Sequence, residues 1–176
     1  MTASGILNAT RLELRPFGPE YLTARYVAWL NDPATVRYSE QRHRHHTLET
    51  CRAYAASFEH GASYFWAIVA RDPALGHIGN ITATVDAANR VADLAIMVGE
   101  ARARGQGYGL EAWMRACEFL LSEAGLRKVT AGTMATNLAM LKVMERSGMI
   151  EEGRRKAQFL FEGRPVDLVM AALFRD

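Results

Sequence analysis

Apolar and polar residues alternate along this chain in two rhythms, and the switches between them mark out the elements. Arg11-Leu12-Glu13-Leu14-Arg15 alternates strictly and stops at Pro16, which predicts a first strand. Pro19 sits where a helix begins, and Leu22, Tyr26, Trp29 and Leu30 share one face of it. That helix ends at Asn31-Asp32-Pro33, because the residue before a proline avoids the helical region, and a polar loop follows. Thr47 is a natural N-cap for a second helix running to about Glu59, with Leu48, Cys51, Ala55 and Phe58 at spacings of three and four. Tyr64 to Ala70, Ile78 to Val85 and Val91 to Val98 then read as three consecutive strands, and the short links between them predict an antiparallel meander.

The period changes again at Tyr108. From there to Ala124, Leu110, Trp113, Met114, Cys117 and Leu121 follow a 3.6-residue repeat, and Gly125 suits a left-handed helix end. Lys128 to Met134 reads as a strand, Asn137 as the cap of a helix reaching Ser147, and Gly148 as its end. Gln158 to Phe161 and Val166 to Phe174, joined by Glu162-Gly163, predict a closing hairpin. The whole pattern predicts an α+β fold: one domain over residues 1–176, with a mixed sheet and about four helices packed in three layers.

Composition narrows the function classes. The 176 residues carry 21 Lys+Arg against 19 Asp+Glu, a formal charge of +2, with no run of five like charges. Neither nucleic acid nor an anionic membrane surface is therefore expected as a partner. No apolar run approaches the roughly 18 residues of a membrane span. Met1-Thr2-Ala3-Ser4-Gly5-Ile6 lacks the basic start and apolar middle of a signal peptide, so a cytoplasmic protein is expected. Cys51 and Cys117 both fall on apolar helix faces, where a thiol packs as a small hydrophobe, and two distant cysteines do not make a zinc site.

The chemically informative segment is Arg104-Gly105-Gln106-Gly107-Tyr108-Gly109, which leaves a strand and enters the long helix. Glycines there let backbone N–H groups approach a ligand, and the helix N-terminus adds partial positive charge, together an anion or pyrophosphate seat. The plainer reading is a loop that only turns the chain. A Walker loop is excluded because no lysine lies here. The dinucleotide pattern is formally met by Gly107, Gly109 and Ala112, but the next strand, Lys128 to Met134, has no closing carboxylate, and a meander precedes the loop where a doubly wound fold would not have one.

The segment from Ile96-Met97-Val98-Gly99-Glu100 through Arg104-Gly105-Gln106-Gly107-Tyr108-Gly109-Leu110-Glu111-Ala112 resembles the fourth strand and pyrophosphate loop of the GNAT superfamily of N-acetyltransferases. Asn137 with Val143, Arg146, Gly148 and Met149 is similar to that family's asparagine helix, and Glu151-Glu152-Gly153 with Gly163-Arg164 and Asp167 to its last strands. Trp29-Leu30-Asn31-Asp32-Pro33 with Val36 and Tyr38 resembles the branch that acetylates amino sugars, polyamines or ribosomal-protein N-termini. The resemblance implies acetyl-coenzyme A as cosubstrate and no metal. It implies that backbone groups of Met97, Val98 and Gly99 meet the pantetheine arm and the acetyl carbonyl, and that Arg104, Gly105, Gln106, Gly107, Tyr108 and Gly109 hold the pyrophosphate. Asn137 would face the cofactor near the thioester; read from the residues alone it is equally a simple N-cap.

The implied reaction is direct attack of a primary amine on the thioester, which needs a group to take a proton. Asp93, on the fourth strand, and Glu40, in the loop between the first two helices, are the candidate bases. Arg42-His43-Arg44-His45-His46 reads as a solvated basic loop before it reads as a metal site, although one histidine near neutrality would help an acceptor site. Met144 and Met140 occupy the positions where many family members carry a tyrosine and some a serine, so the usual proton donor is missing. Trp66, Trp113, Phe119, Met134, Met140 and Met144 are expected in the core. The expected partner is a small-molecule amine. A protein N-terminus, a non-catalytic acyl-coenzyme A module and a plain interaction domain are the alternatives. Phe159-Leu160-Phe161 offers apolar surface for a homodimer.

Overall fold

A computed structural model describes residues 5–175, so the N-terminal segment Met1 to Ser4, on which part of the leader argument rests, lies outside the described residues. One eight-stranded sheet runs through the molecule in the order β1-β2-β3-β4-β5-β6-β8-β7. Its strands are β1 (Leu7–Asn8), β2 (Leu12–Pro16), β3 (Tyr64–Ala70), β4 (His77–Asp86), β5 (Val91–Val98), β6 (Lys128–Met134), β7 (Ile150–Phe161) and β8 (Arg164–Phe174). Every pairing is antiparallel except β5 with β6. The α-helices are α1 (Ala24–Asn31), α2 (Leu48–Ala56), α3 (Tyr108–Glu118) and α4 (Leu138–Arg146).

The predicted meander, the parallel crossover and the closing hairpin are all present, and the fold is the mixed α+β arrangement expected. Trp66, Ile68 and Leu94 on one face of the sheet pack against Trp113, Cys117 and Leu120 from α3 and its extension, with Met144 of α4. On the other face Phe65 and Met97 meet Tyr26, Trp29 and Cys51 from α1 and α2. Two helix layers thus sandwich the sheet. Trp66 and Trp113 are fully buried and Phe119, Met134 and Met144 nearly so, as expected of core residues, while Met140 is half-buried. Cys51 and Cys117 are buried free thiols, and burial pushes the Cys117 thiol up to about 12.

Four local readings differ from the structure. The segment Pro19–Tyr21 is a single 3₁₀ turn, and α1 begins after Thr23, whose hydroxyl accepts from Tyr26 N at 3.2 Å. The α2 helix stops at Ala56, three residues short of the reading; its start is a reciprocal Thr47/Thr50 capping box. Beyond Glu118 the long helix widens into a π turn, Phe119–Glu123, closed by Ala124 N donating to Phe119 O at 2.8 Å, before Gly125 takes its left-handed end at φ +71°. Finally, β7 begins at Ile150 rather than Gln158. It is an edge strand exposed along most of its length, so no buried face imposes the alternation by which strands are read. A bulge around Ala157 (φ +50°), whose N–H bonds Asp167 Oδ1 at 2.9 Å, interrupts it further.

The feature that positions the site is where two strands part. β5 and β6 pair only from Val91↔Lys128 to Asp93↔Thr130, after which β6 continues along β8 while β5 follows β4. Between Leu94–Val98 and Ala131–Met134 the sheet opens into a V.

Candidate active site

The V opens into a cleft of about 910 Å³ that runs from the start of α3 to the loop between α1 and α2. Strand geometry decides which backbone groups of β5 face it. Gly99 N donates to Ile78 O at 2.9 Å, and Thr130 Oγ1 donates to Ala92 O at 3.3 Å. In an antiparallel ladder hydrogen-bonding direction alternates, so Gly99, Met97, Ala95 and Asp93 turn their backbone groups to β4. Leu94, Ile96 and Val98 turn theirs into the V.

This sorts the residues expected around a thioester. Val98 keeps the expected position: its N–H opens on the V while its carbonyl accepts from Arg104 Nε at 3.0 Å. Met97 does not, because its amide belongs to the β4 ladder, and what it brings to the cleft is its side chain, packed among α1 and α2 residues. Gly99 spends its N–H on Ile78 and its carbonyl on Arg104 Nη2, at 3.0 Å. A Cβ on Gly99 would sit 2.0 Å from Trp29 Cδ2, so glycine is required for the indole to lie flat on the chain, a packing role rather than a ligand contact.

The glycine loop has the form of an anion seat. Gly105 and Gly107 stand at φ +71° and +83°, conformations that side chains rarely adopt. Gly107 is the N-cap of α3 and supplies no side chain to it, so the first-turn amides of Tyr108, Gly109 and Leu110 point outward without a side-chain acceptor. Gln106 is exposed, its side-chain amide on Arg102 O at 3.3 Å. Arg104 is a brace rather than a free cation: it donates to Val98 O, Gly99 O and, at 2.6 Å, to Thr35 Oγ1. It therefore ties the glycine loop to β5 and to the loop after α1. Sequence reasoning missed Arg11, which grips the same loop from the bend just before β2. Its N–H and Nε bind the two oxygens of Glu111 at 2.6 and 2.7 Å, Nη1 binds Gln106 O at 2.9 Å, and the guanidinium lies over the Tyr108 ring.

Across the V, Asn137 caps α4. Its Oδ1 accepts from Met140 N at 3.3 Å and its Nδ2 donates to Thr133 Oγ1 at 3.0 Å, while the residue also lines the cleft. Met140 lines the cleft beside it, and Met144 points into the core, so α4 offers no proton donor at either position.

Both candidate bases line the cleft and both are exposed to it. Asp93 is on the β5 wall. It shares a face of β5 with Ala95 and Met97 and accepts from Thr130 Oγ1 at 2.8 Å. Protein packed around one side of it raises its pKa above the usual carboxylate value, with the Thr130 bond acting in the opposite direction, while its side chain stays exposed to the cleft. Glu40 is at the cleft rim, largely exposed, and already paired with Arg42 Nη1 at 2.8 Å. In the histidine run, His46 lies deepest. Asn31 clamps its backbone at both ends, its Nε2 is buried with no partner among the described residues, and burial lowers its pKa. No three His, Cys, Asp or Glu side chains among the described residues converge as metal ligands. The far wall is the β7–β8 hairpin: Phe159 lines the cleft and Phe161 stacks on Tyr38 at 5.2 Å, which leaves Leu160 alone of that trio exposed.

A model of the acetyltransferase (GNAT) domain matches residues 11–150. The chain belongs to the GNAT acetyltransferases. As a GNAT protein it is an acyltransferase of the type that uses acetyl-coenzyme A, and the open Val98 amide and the uncapped α3 terminus fit that cosubstrate. The fold agrees with solved acetyltransferase structures over nearly all of the chain. It superimposes on RimL, a ribosomal L7/L12 alpha-N-protein acetyltransferase in complex with coenzyme A, at 17% identity and TM-score 0.85, covering 98% of this chain and 99% of that one. Similar agreement is found with spermidine N-acetyltransferase from Vibrio cholerae in complex with coenzyme A and spermine, at 18% identity and TM-score 0.83 over 94% and 96% of the chains. The ribosomal-protein-S5-alanine acetyltransferase from Vibrio fischeri gives 14% identity and TM-score 0.83 over 98% of both. A search of curated protein sequences finds no match. Among the described residues no helix is long and apolar enough to cross a membrane.

Proposed function

We propose that this GNAT domain transfers the acetyl group of acetyl-coenzyme A to the primary amine of a small molecule, with Asp93 as general base. The observation that carries this reading is one cleft bordered by Gly109 at the uncapped start of α3, by Val98 with its open amide, and by the Asp93 carboxylate. The bound cosubstrate supplies an activated acetyl thioester; an amine nitrogen–carbon bond forms, the carbon–sulfur bond breaks, and the thiol leaves. The amides of Tyr108, Gly109 and Leu110 would hold the pyrophosphate, and Val98 N–H would face the acetyl oxygen, where negative charge develops. Asp93 lies five residues along β5 from Val98, about 16 Å at the strand rise, so in its carboxylate form it takes the proton of the attacking amine through a chain of waters along the cleft. With Met144 in the core, solvent returns a proton to the departing thiolate.

A small acceptor is favoured because the cleft is closed on its outer side, where the hairpin meets the α1–α2 loop through Phe161 on Tyr38 and Arg37 on Glu162, 2.7 Å apart. That end also lacks an excess of acid: Glu40 and Glu162 are each paired with an arginine, and Arg44 and His45 add to the basic side. A polycation has little to bind there.

The test is thiol release from acetyl-coenzyme A with a panel of free amines beside peptides carrying a free N-terminus. Free amines are expected to raise turnover and peptides not to; the reverse overturns the small-molecule reading, and no release with any of them overturns catalysis. Asp93→Asn should lower kcat by about 10²–10⁴-fold. Because the Asp93 pKa is raised, the base form gains as pH climbs through that value, and the acid limb of the rate profile should vanish in the variant.

A further inference from the structure

The ladder between β3 and β4 slips by one residue, from Ile68↔Gly79 to Val69↔His77, so that Ile78 is unpaired. This bulge brings His77 and Asn80 to the same face of β4, the face toward α1 and α2. The His77 ring is held among Tyr21, Trp29 and Phe17, with centroids at 4.9, 5.0 and 6.3 Å. Its Nε2 lies 3.0 Å from Gly79 O and 2.9 Å from Asn80 Oδ1. A backbone carbonyl can only accept, so Nε2 carries the hydrogen, and the Asn80 atom facing it must be the oxygen. The Asn80 amide nitrogen is thereby turned away from His77. Asn80 is 5% exposed, and its Nδ2 is buried with no hydrogen-bond partner among the described residues. Such a group is costly and calls for a reason. Asn80 lines the cleft, in register with Met97 and two residues from Thr82, at the level where β5 has already left β6.

We propose that Asn80 is a specificity-determining residue whose Nδ2 donates to an oxygen that the acceptor carries beside its reactive amine, oriented for that task by His77. The inference rests on the acetyl-transfer reading of the cleft and names the acceptor class: amines with a neighbouring hydroxyl or carbonyl, rather than aliphatic polyamines. Two N–H donors can be satisfied only by an acceptor atom. An ammonium group presents hydrogens of its own and leaves Nδ2 unpaired, whereas a vicinal oxygen fills it and fixes the amine at the level of Met97 and Val98. His77 acts through Asn80 and is a positioning residue.

The test needs no turnover. In ¹⁵N-labelled protein with coenzyme A present, the Asn80 side-chain amide pair is assigned by its loss in Asn80→Leu or Asn80→Ser. Glucosamine and alaninamide are then titrated beside their oxygen-free counterparts, cyclohexylamine and isopropylamine. The expected result is movement of the Asn80 pair with an oxygen-bearing amine and none with its counterpart. The glucosamine and alaninamide arms separate a sugar hydroxyl from a peptide-like carbonyl. Movement on exchanging coenzyme A for acetyl-coenzyme A, with no response to any amine, would assign the donors to the thioester and overturn the proposal, and so would silence throughout. In steady state, Asn80→Leu should raise KM for the responding amine about tenfold and leave KM for acetyl-coenzyme A unchanged. His77→Phe should reproduce part of that KM effect, and His77→Gln, which keeps an N–H donor, should restore it. Equal losses with and without the oxygen would overturn the assignment. Absence of thiol release with every amine would instead count against catalysis, and it is read independently of the amide shift.

Discussion

Replacing Gly107 by alanine perturbs the anion seat through the backbone alone. Gly107 is held at φ +83°, and a Cβ there would meet Arg11 Nη2 at 3.2 Å, the far end of a flexible side chain that can move aside. The remaining cost is conformational: an L-residue in the left-handed region carries about 1–2 kcal/mol of strain. Rotation of the peptide in the free variant would relieve that strain and swing the Tyr108 amide away from the seat at the uncapped end of α3. Binding has to restore the strained form, so the affinity for acetyl-coenzyme A should fall by up to the same amount, about 5- to 30-fold at 1.4 kcal/mol per tenfold. The control is Gly125→Ala. Gly125 has φ +71° at the opposite end of the same helix and its extension, with Arg175 Nη1 at 3.9 Å as the nearest atom, so it pays similar strain where no ligand is expected. Isothermal titration with acetyl-coenzyme A, beside urea unfolding of each variant, separates the two. The reasoning is refuted if Gly107→Ala binds as tightly as the parent, or if Gly125→Ala weakens binding equally.

Two further outcomes follow from the braces around the loop. Arg104→Gln removes donors from Val98 O, Gly99 O and Thr35 Oγ1, and should lower stability by about 1–3 kcal/mol. Because those donors face protein and not phosphate, the salt dependence of acetyl-coenzyme A binding should keep its slope, and a shallower slope would show that Arg104 meets the phosphates after all. Glu100 caps the turn at Ala101–Ala103, accepting from Arg102 N and Nε at 3.1 Å each and from Arg25, and these partners hold its carboxyl down to about 2. A depressed pKa contributes stability that is complete above the unfolded value and is lost as pH falls through the folded one. Glu100→Gln should therefore be less stable than the parent by about 1 kcal/mol at pH 7. In denaturant melts that gap should close between roughly pH 4.5 and pH 2, and a gap constant across that range would contradict the assignment.

Much of the fold was legible in the chain. The β3, β5 and β6 strands begin and end where alternation and turn residues place them, and Gly125 and Gly148 take the left-handed conformations that helix ends require. These features are written in contiguous residues, where period and turn chemistry act without help from the rest of the molecule. The β7 strand was not legible, because an exposed edge leaves its polar residues free of any alternating demand. The Thr23 cap was overlooked because Pro19, four residues earlier, carries the stronger start signal.

The candidate site divides in the same way. From Arg104-Gly105-Gln106-Gly107-Tyr108-Gly109 and the strand before it, the sequence by itself determined that a helix starts in a glycine loop next to β5. It also determined the family's motif and with it the class of cosubstrate. Tertiary structure decided which atoms do what. Strand pairing gave the V to Val98 and took Met97 for the β4 ladder; Arg104 turned inward to carbonyls six residues or fewer away and to Thr35; a one-residue slip against β3 set His77 and Asn80 side by side. The reason is geometric. A side chain's direction in a strand is a parity, and one bulge or one change of partner inverts it, so it depends on registers between segments that the local pattern of residues does not encode.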